Sequence, residues 1–160
     1  MSQRRNPAAQ VTYQTPDEVL ERVRKVDEIG LDPATSIHNP TGARAYFTEA
    51  DDGLARDWSG HSLVYCNPPF ERRWYRKMGE QAALGIEMIG LVMATPTTSY
   101  FQEDLLPHAR AACFWKGRLT FKGQPQCAGF GVAFVYYGRR VERFREAFHD
   151  RGWIVPGGAR

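Results

Sequence analysis

Asn67-Pro68-Pro69-Phe70 is the segment of this chain best suited to chemistry. It follows Leu63-Val64-Tyr65-Cys66, an apolar run that reads as a buried strand. Neither proline can donate a backbone hydrogen bond and both fix φ, so the ladder must end there. The result is a stiff loop carrying a polar amide, free carbonyls and an aromatic ring. Such a loop can grip a planar amino group. An exocyclic NH2 is a poor nucleophile because its lone pair is delocalised into the π-system. Two acceptors that take both N–H hydrogens would favour a pyramidal nitrogen and free that lone pair. The Asn67 side-chain oxygen and the Pro68 carbonyl are candidates, and they would face the positive charge that develops on nitrogen during alkylation. Pro69 stiffens the loop, and Phe70 would stack on the ring, a contact of roughly 1–3 kcal/mol. The plainer alternative is a strand-ending turn, since Asn-Pro and Pro-Pro are ordinary turn dipeptides.

The elements that must position this loop alternate in type. Thr15-Pro16-Asp17-Glu18 has the form of a capping box with proline at the first helical position. Val19, Leu20, Val23, Val26 and Ile29 recur at helical spacing until Gly30. Leu31-Asp32-Pro33-Ala34 reads as a short strand with an acidic end, residues 35–43 as loop, and Arg44–Thr48 as a second strand ending near Glu49, Asp51 and Asp52. Residues 72–84 form a helical stripe of Trp74, Tyr75, Met78, Ala82 and Leu84. Ile86–Met93 is a near-continuous apolar run, as expected of a strand covered on both faces. Gln102–His108 reads as a short helix, Ala111–Trp115 and Leu119–Phe121 as strand pieces, and Phe130–Tyr137 as another buried strand. Arg139–Arg151 closes the pattern as an amphipathic helix, trailed by Trp153-Ile154-Val155.

This alternation predicts a single α/β domain over residues 13–155, between a basic tail at 1–12 and a short tail at 156–160. The expected fold is Rossmann-like, with a mostly parallel sheet, helices on both faces and an antiparallel edge near the C-terminus. Ligands of such sheets bind beyond the carboxyl ends of the strands. Asp32, Asp52 and the Asn67 loop all fall at predicted carboxyl ends, which argues for one shared site.

The chain has 160 residues, 42% hydrophobic, which is enough for one domain with a real core. Its net charge of +3 is compatible with a polyanionic partner without establishing one. The 3 cysteines, Cys66, Cys113 and Cys127, are widely spaced and form no Cys/His ligand cluster, so neither a metal site nor a disulfide framework is expected. A reduced, cytoplasmic setting follows. Met1–Gln10 lack the apolar stretch of a secretion signal, and no run approaches membrane-spanning length. Oligomeric state is not legible.

Taken together, these segments resemble a known family. Asn67-Pro68-Pro69-Phe70 is similar to the Asn/Asp-Pro-Pro-aromatic motif of amino-group methyltransferases that use S-adenosylmethionine. Thr15-Pro16, Leu31-Asp32-Pro33-Ala34, Asp51-Asp52-Gly53-Leu54 with Asp57-Trp58, and Gly117-Arg118-Leu119-Thr120-Phe121 resemble the phage and prophage DNA N6-adenine methyltransferases. The resemblance covers most of residues 13–138. It implies S-adenosylmethionine as cofactor, duplex DNA with a flipped adenine as substrate, and a bacterial or phage-infected cell as setting. It implies that Asp32 lies near the methionine amino group, Pro33 shapes that turn, Asp52 binds the ribose hydroxyls and Asp57 contacts the cofactor adenine. Thr15 and Pro16 would close over the cofactor, and Asn67, Pro68 and Phe70 would hold the target base. Asp32-Pro33-Ala34-Thr35-Ser36 lacks the glycine-rich turn that many methyltransferases place after the first strand. Each acidic position also has a plainer role as a turn or cap.

Extruding a paired adenine costs a few kcal/mol, and phosphate contacts would help offset it. Arg72, Arg73, Arg76 and Lys77 directly follow the Asn-Pro-Pro-Phe loop, and Lys116, Arg118 and Lys122 form a second basic group. A solvated helix face would also explain these charges. No separate recognition domain fits in this length, so a short or relaxed target sequence is expected, read by residues 96–103 and 116–127. Two alternatives remain open at this point. One is the same chemistry on RNA adenine or a protein glutamine. The other is a non-catalytic nucleic-acid-binding domain.

Overall fold

The computed structural model describes residues 13–158, so the expected tail at 1–12 lies outside the described residues. Seven strands form one sheet in the order β2-β1-β3-β4-β6-β5-β7. They are β1 (Leu31–Asp32), β2 (Ala45–Tyr46), β3 (Val64–Cys66), β4 (Met88–Met93), β5 (Ala111–Trp115), β6 (Val132–Tyr137) and β7 (Gly152–Pro156). The helices are α1 (Asp17–Val26), α2 (Arg72–Ala83) and α3 (Val141–Phe148).

The domain is α/β, but the sheet is mixed rather than mostly parallel. β2, β1, β3 and β4 run parallel, while every pairing beyond β4 is antiparallel. The antiparallel part is therefore half the sheet and not an edge. The cause lies in the connections. Residues 116–131, between β5 and β6, contain no helix, and a strand returning without a crossover pairs antiparallel with the one it left. β6 and β7 flank β5 and run the same way, with α3 as the crossover between them.

Helices cover both faces. On one face Val19, Leu20 and Val23 of α1 and Phe144 and Phe148 of α3 pack on Tyr65, Ile89, Leu91, Phe134 and Tyr136. On the other, Trp74, Tyr75 and Met78 of α2 join Phe101 and Leu105 over Val64, Cys66, Met88 and Val92. Val64, Tyr65 and Cys66 alternate between these two layers, as successive strand residues must. All three are buried, which explains why β3 reads as continuously apolar.

Several local expectations are corrected. Thr15 does not cap α1. Pro16 occupies the N-cap, and its carbonyl accepts from Val19 N at 3.0 Å and Leu20 N at 3.2 Å. The Thr15 hydroxyl turns inward to the sheet instead. α1 ends at Val26, so Ile29 is buried from a loop. The helix expected over Gln102–His108 is one π-helical turn, Phe101–Leu105, pressed against α2 at Gly79. A Cβ at Gly79 would lie 2.2 Å from the Asp104 carbonyl oxygen. Leu119 and Phe121 are buried and Thr120 exposed, but none belongs to a strand; a lone Gln14–Lys122 bridge and the Tyr13–Phe121 ring contact tie the segment to the chain before α1. The last helix stops at Phe148, which frees Gly152–Pro156 to form the sheet edge against β5. Pro156 is therefore part of the sheet rather than a tail, and Gly157 N donates to the Arg110 carbonyl at 2.8 Å.

Candidate active site

The four parallel strands end on one rim, and β5 also runs toward it. Asp32, the segment after Tyr46, Asn67 and Thr95 leave β1, β2, β3 and β4 there, and the loop 116–131 leaves β5. β1 sits between β2 and β3, so the chain changes direction across the sheet between β1 and β3. That is the switch point at which open α/β sheets leave a crevice. Leu31 pairs with Val64, which puts Asp32 beside Tyr65. Asn67 lies two residues further along, roughly 7 Å in the strand direction.

Asn67 is half-buried and its amide is held from below. Asn67 Nδ2 donates to the Tyr13 carbonyl at 2.6 Å and to Thr15 Oγ1 at 3.2 Å. Thr15 Oγ1 also meets the Tyr65 hydroxyl at 2.7 Å. Turning the amide over would face its oxygen toward the Tyr13 carbonyl, two acceptors in contact. Both N–H groups are thus used inside the protein, and Asn67 Oδ1 is the atom left to accept. Phe70 is half-buried beside it. Its ring lies 5.7 Å from Tyr13 and 5.3 Å, edge-on, from Phe130. Pro68 is buried and Pro69 exposed.

Asp32 is 2% exposed. Its carboxylate accepts from Thr41 Oγ1 at 2.8 Å and from Ala34 N at 3.2 Å. Among the described residues it has no ion-pair partner. Burial pushes its carboxyl up to about 6, against the hydrogen bonds from Thr41 and Ala34 that pull it down. The loop after β2 packs on the turn after β1. A Cβ at Gly53 would lie 2.1 Å from the Pro33 carbonyl oxygen, so only glycine admits this contact. Asp52 is thereby carried by a segment packed on the turn after β1. Asp52 is exposed, in the left-handed region at φ 53°, joining two 3-10 turns. Asp57 is different: its carboxylate accepts from Ser59 N at 3.0 Å and Ser59 Oγ at 2.6 Å, which holds its pKa down, and among the described residues no hydrogen bond or ion pair joins it to Asp32, Asp52 or Asn67.

The basic groups separate by environment. Arg72 bridges Glu103 at 3.2 Å and Asp104 at 3.4 Å, and Arg73 pairs with Glu71 at 2.5 Å. Lys122 pairs with Asp17 at 3.1 Å, and Lys77 lies over the Trp58 ring. Arg76, Lys116 and Arg118 are exposed, and no ion pair involves them among the described residues. Exposed pairs of this kind are weak and exchange readily for phosphate. Beside Tyr13, on the loop 116–131, is an open cavity of about 260 Å³ lined by Phe121, Gln124, Gln126 and Ala128.

Sequence reasoning missed Tyr13, Thr41, Tyr65 and Phe130 as part of this site. Tyr65 carried a signal: it stands two residues before Asn67 on a strand, so both side chains point to the face that α1 covers. Thr41 carried none, because a loop delivers it. Among the described residues, no group of three or more His, Cys, Asp or Glu side chains could hold a metal, and no helix is long and apolar enough to cross a membrane.

An α/β sheet parallel through its first half, with acidic and amide groups on the carboxyl rim, is consistent with a methyltransferase fold. Residues 4–132 match the family model for DNA N-6-adenine-methyltransferase (Dam), and the chain belongs to that family. The general activity that membership carries is methylation of adenine N6 in DNA. A comparison with curated proteins finds no match.

Proposed function

We propose that this protein transfers a methyl group from S-adenosylmethionine to N6 of an adenine extruded from duplex DNA and held by Asn67-Pro68-Pro69-Phe70. The observation that carries the proposal is the orientation of Asn67. An amide whose N–H groups are both engaged by Tyr13 and Thr15 presents an acceptor, and an amino group about to be alkylated needs one.

The residues on the rim fit the cofactor in their chemistry. Asp32 is a buried carboxylate with no cation beside it among the described residues, an arrangement that favours a cationic ligand group such as the methionine ammonium. Asp52, exposed at the end of the neighbouring loop, suits the ribose hydroxyls. Pro33 shapes the turn between them, Asp57 would be the outermost contact, toward the adenine, and Pro16 would close over the cofactor, since the hydroxyl of Thr15 is turned inward to Tyr65 and Asn67. When bound, S-adenosylmethionine supplies a methyl carbon on a sulfonium, which departs as a neutral thioether with the C–S electron pair.

The remaining work falls to the chain. Asn67 Oδ1 and the Pro68 carbonyl accept the two N6 hydrogens, which localises the lone pair that forms the N–C bond. The same two oxygens stabilise the cationic nitrogen, and its surplus proton then passes to water. Phe70 supports the base from one side. Exposed Arg76, Lys116 and Arg118, with Arg72, Arg73, Lys77 and Lys122, would hold flanking phosphates and help offset the cost of extrusion. Gln124 and Gln126, on the cavity beside Tyr13, carry amides that can read base edges.

The test is transfer of a labelled methyl group from S-adenosylmethionine to DNA, RNA and protein by wild type and Asn67→Ala. The expected result is label in adenine of DNA, lowered at least about 100-fold in the variant, the usual cost of removing a preorganised acceptor or donor. Equal transfer by the two proteins would remove Asn67 from the chemistry. Label in RNA or glutamine alone would replace the substrate.

A further inference from the structure

We propose that Thr15 and Tyr65 are positioning residues: a buried pair of hydroxyls that holds the Asn67 amide plane so that its oxygen faces the target amino group. The inference rests on Asn67 serving as that acceptor. It assigns to Thr15 and Tyr65 a role that neither helix formation nor packing requires.

The Tyr13 carbonyl, 2.6 Å from Asn67 Nδ2, decides which way round the amide sits. One hydrogen bond does not fix its plane, because the side chain can still rock about that contact. Thr15 Oγ1, 3.2 Å from the same nitrogen, is the second anchor and removes that freedom. A threonine hydroxyl would itself rotate unless it were held. Tyr65 holds it, at 2.7 Å, from a strand residue with no exposed surface. Thr15 is the only hydrogen-bond partner of the Tyr65 hydroxyl among the described residues. A buried phenol left without a partner is costly, so the Tyr65 hydroxyl and Thr15 Oγ1 hold each other in place. Asn67 then donates to the same oxygen from the other side, and the strand core is linked to the loop through two buried hydroxyls.

Neither hydroxyl has another explanation. Thr15 stands where a helix cap is expected, yet the N-cap is Pro16 and no side chain caps α1. Tyr65 is packed among apolar side chains, where phenylalanine would fill the same space. The hydroxyls are accounted for by each other and by Asn67. The pair also joins three separate pieces of chain: the approach to α1, the middle of β3 and the loop after β3. The position of the acceptor therefore depends on the docking of α1 against the sheet.

The experiment compares wild type, Thr15→Val, Thr15→Ser, Tyr65→Phe and Thr15→Val/Tyr65→Phe. Valine keeps the shape of threonine without the hydroxyl, and serine keeps the hydroxyl. Three quantities are measured: single-turnover methyl transfer to a duplex oligonucleotide at saturating S-adenosylmethionine, cofactor affinity by calorimetry, and solvent exchange of the Asn67 side-chain NH2 by NMR. The NH2 signals are assigned through their loss in Asn67→Asp. Thr15→Val should slow transfer at least about tenfold with cofactor affinity within about twofold of wild type, the pattern of a misplaced reacting group rather than a lost ligand contact. Its Asn67 NH2 should exchange faster than in wild type. Thr15→Ser should restore both readouts. The double variant should be no slower than Thr15→Val, because the two hydroxyls act as one unit. Wild-type exchange in Thr15→Val, or weakened cofactor binding with an intact rate, would overturn the inference; the latter would make Thr15 a cofactor contact. If wild type itself methylates no DNA, the proposed function fails, and the NH2 exchange still decides whether Thr15 and Tyr65 hold Asn67.

Discussion

Asp32→Asn should make the free protein more stable at neutral pH while weakening cofactor binding. Burial raises the Asp32 carboxyl from 3.8 to about 6. The folded state therefore holds this proton more tightly than the unfolded state does. The stability linked to the site is fully present below pH 3.8, falls as pH rises toward about 6, and stays reduced above that. A difference of about 2 pKa units corresponds to about 3 kcal/mol at neutral pH. Asparagine removes the buried charge but offers one acceptor oxygen, whereas the carboxylate serves both Thr41 Oγ1 and Ala34 N. Losing one of those hydrogen bonds costs about 1 kcal/mol. The net expectation is a gain of about 2 kcal/mol at pH 7.5 and a loss of about 1 kcal/mol at pH 3.5. With a urea dependence of about 2 kcal/mol/M, the pH 7.5 midpoint moves up by about 1 M. The assay is urea unfolding of wild type and Asp32→Asn across pH 3.5–8, without cofactor and then with saturating S-adenosylmethionine. Added cofactor should stabilise wild type by mass action and leave the variant nearly unchanged. A difference between the two proteins that does not vary between pH 3.5 and 7.5 would refute the desolvated carboxylate. A variant that binds cofactor as wild type does would refute its role as counter-charge.

Three further outcomes follow from the geometry. Phe70→Ala should lower transfer or DNA affinity about 10–100-fold, as loss of a stacking contact does, while cofactor affinity measured by calorimetry persists. Loss of cofactor affinity with unchanged turnover would contradict that role. Lys116→Ala/Arg118→Ala should reduce the slope of log affinity against log salt by roughly 2, with little change in cofactor binding, as checked by DNA titrations at several salt concentrations. Gly79→Ala should destabilise the fold by about 2–3 kcal/mol, read from urea midpoints, because its Cβ would lie 2.2 Å from the Asp104 carbonyl oxygen and that atom belongs to backbone.

Sequence and tertiary structure divide the account of this protein cleanly. Local chemistry was legible from the sequence alone. Two prolines must end a strand, so the Asn-Pro-Pro-Phe loop could be read without a structure. Apolar runs at 63–66, 86–93 and 130–137 must be buried, so the central strands could be read as well. Alternation of strands and helices implied an α/β sheet, and family resemblance implied adenine methylation, which the match over residues 4–132 bears out. What distant parts of the chain do to one another was not legible. The sheet turned out half antiparallel because the 116–131 loop contains no crossover helix, which strand patterns do not reveal. The motif at Thr15-Pro16 read as a cap because local spacing is all a sequence displays, but the hydroxyl faces Tyr65, 50 residues away. Asp32 could be seen as a strand-end acid. Its burial comes from the packing of neighbouring loops, and that burial raises its pKa against the opposing hydrogen bond from Thr41. For Asn67 the sequence supplied an amide at the right place, and amides can present either end. Only the Tyr13 carbonyl and the Thr15 hydroxyl, delivered by the chain leading into α1, leave its oxygen as the free acceptor.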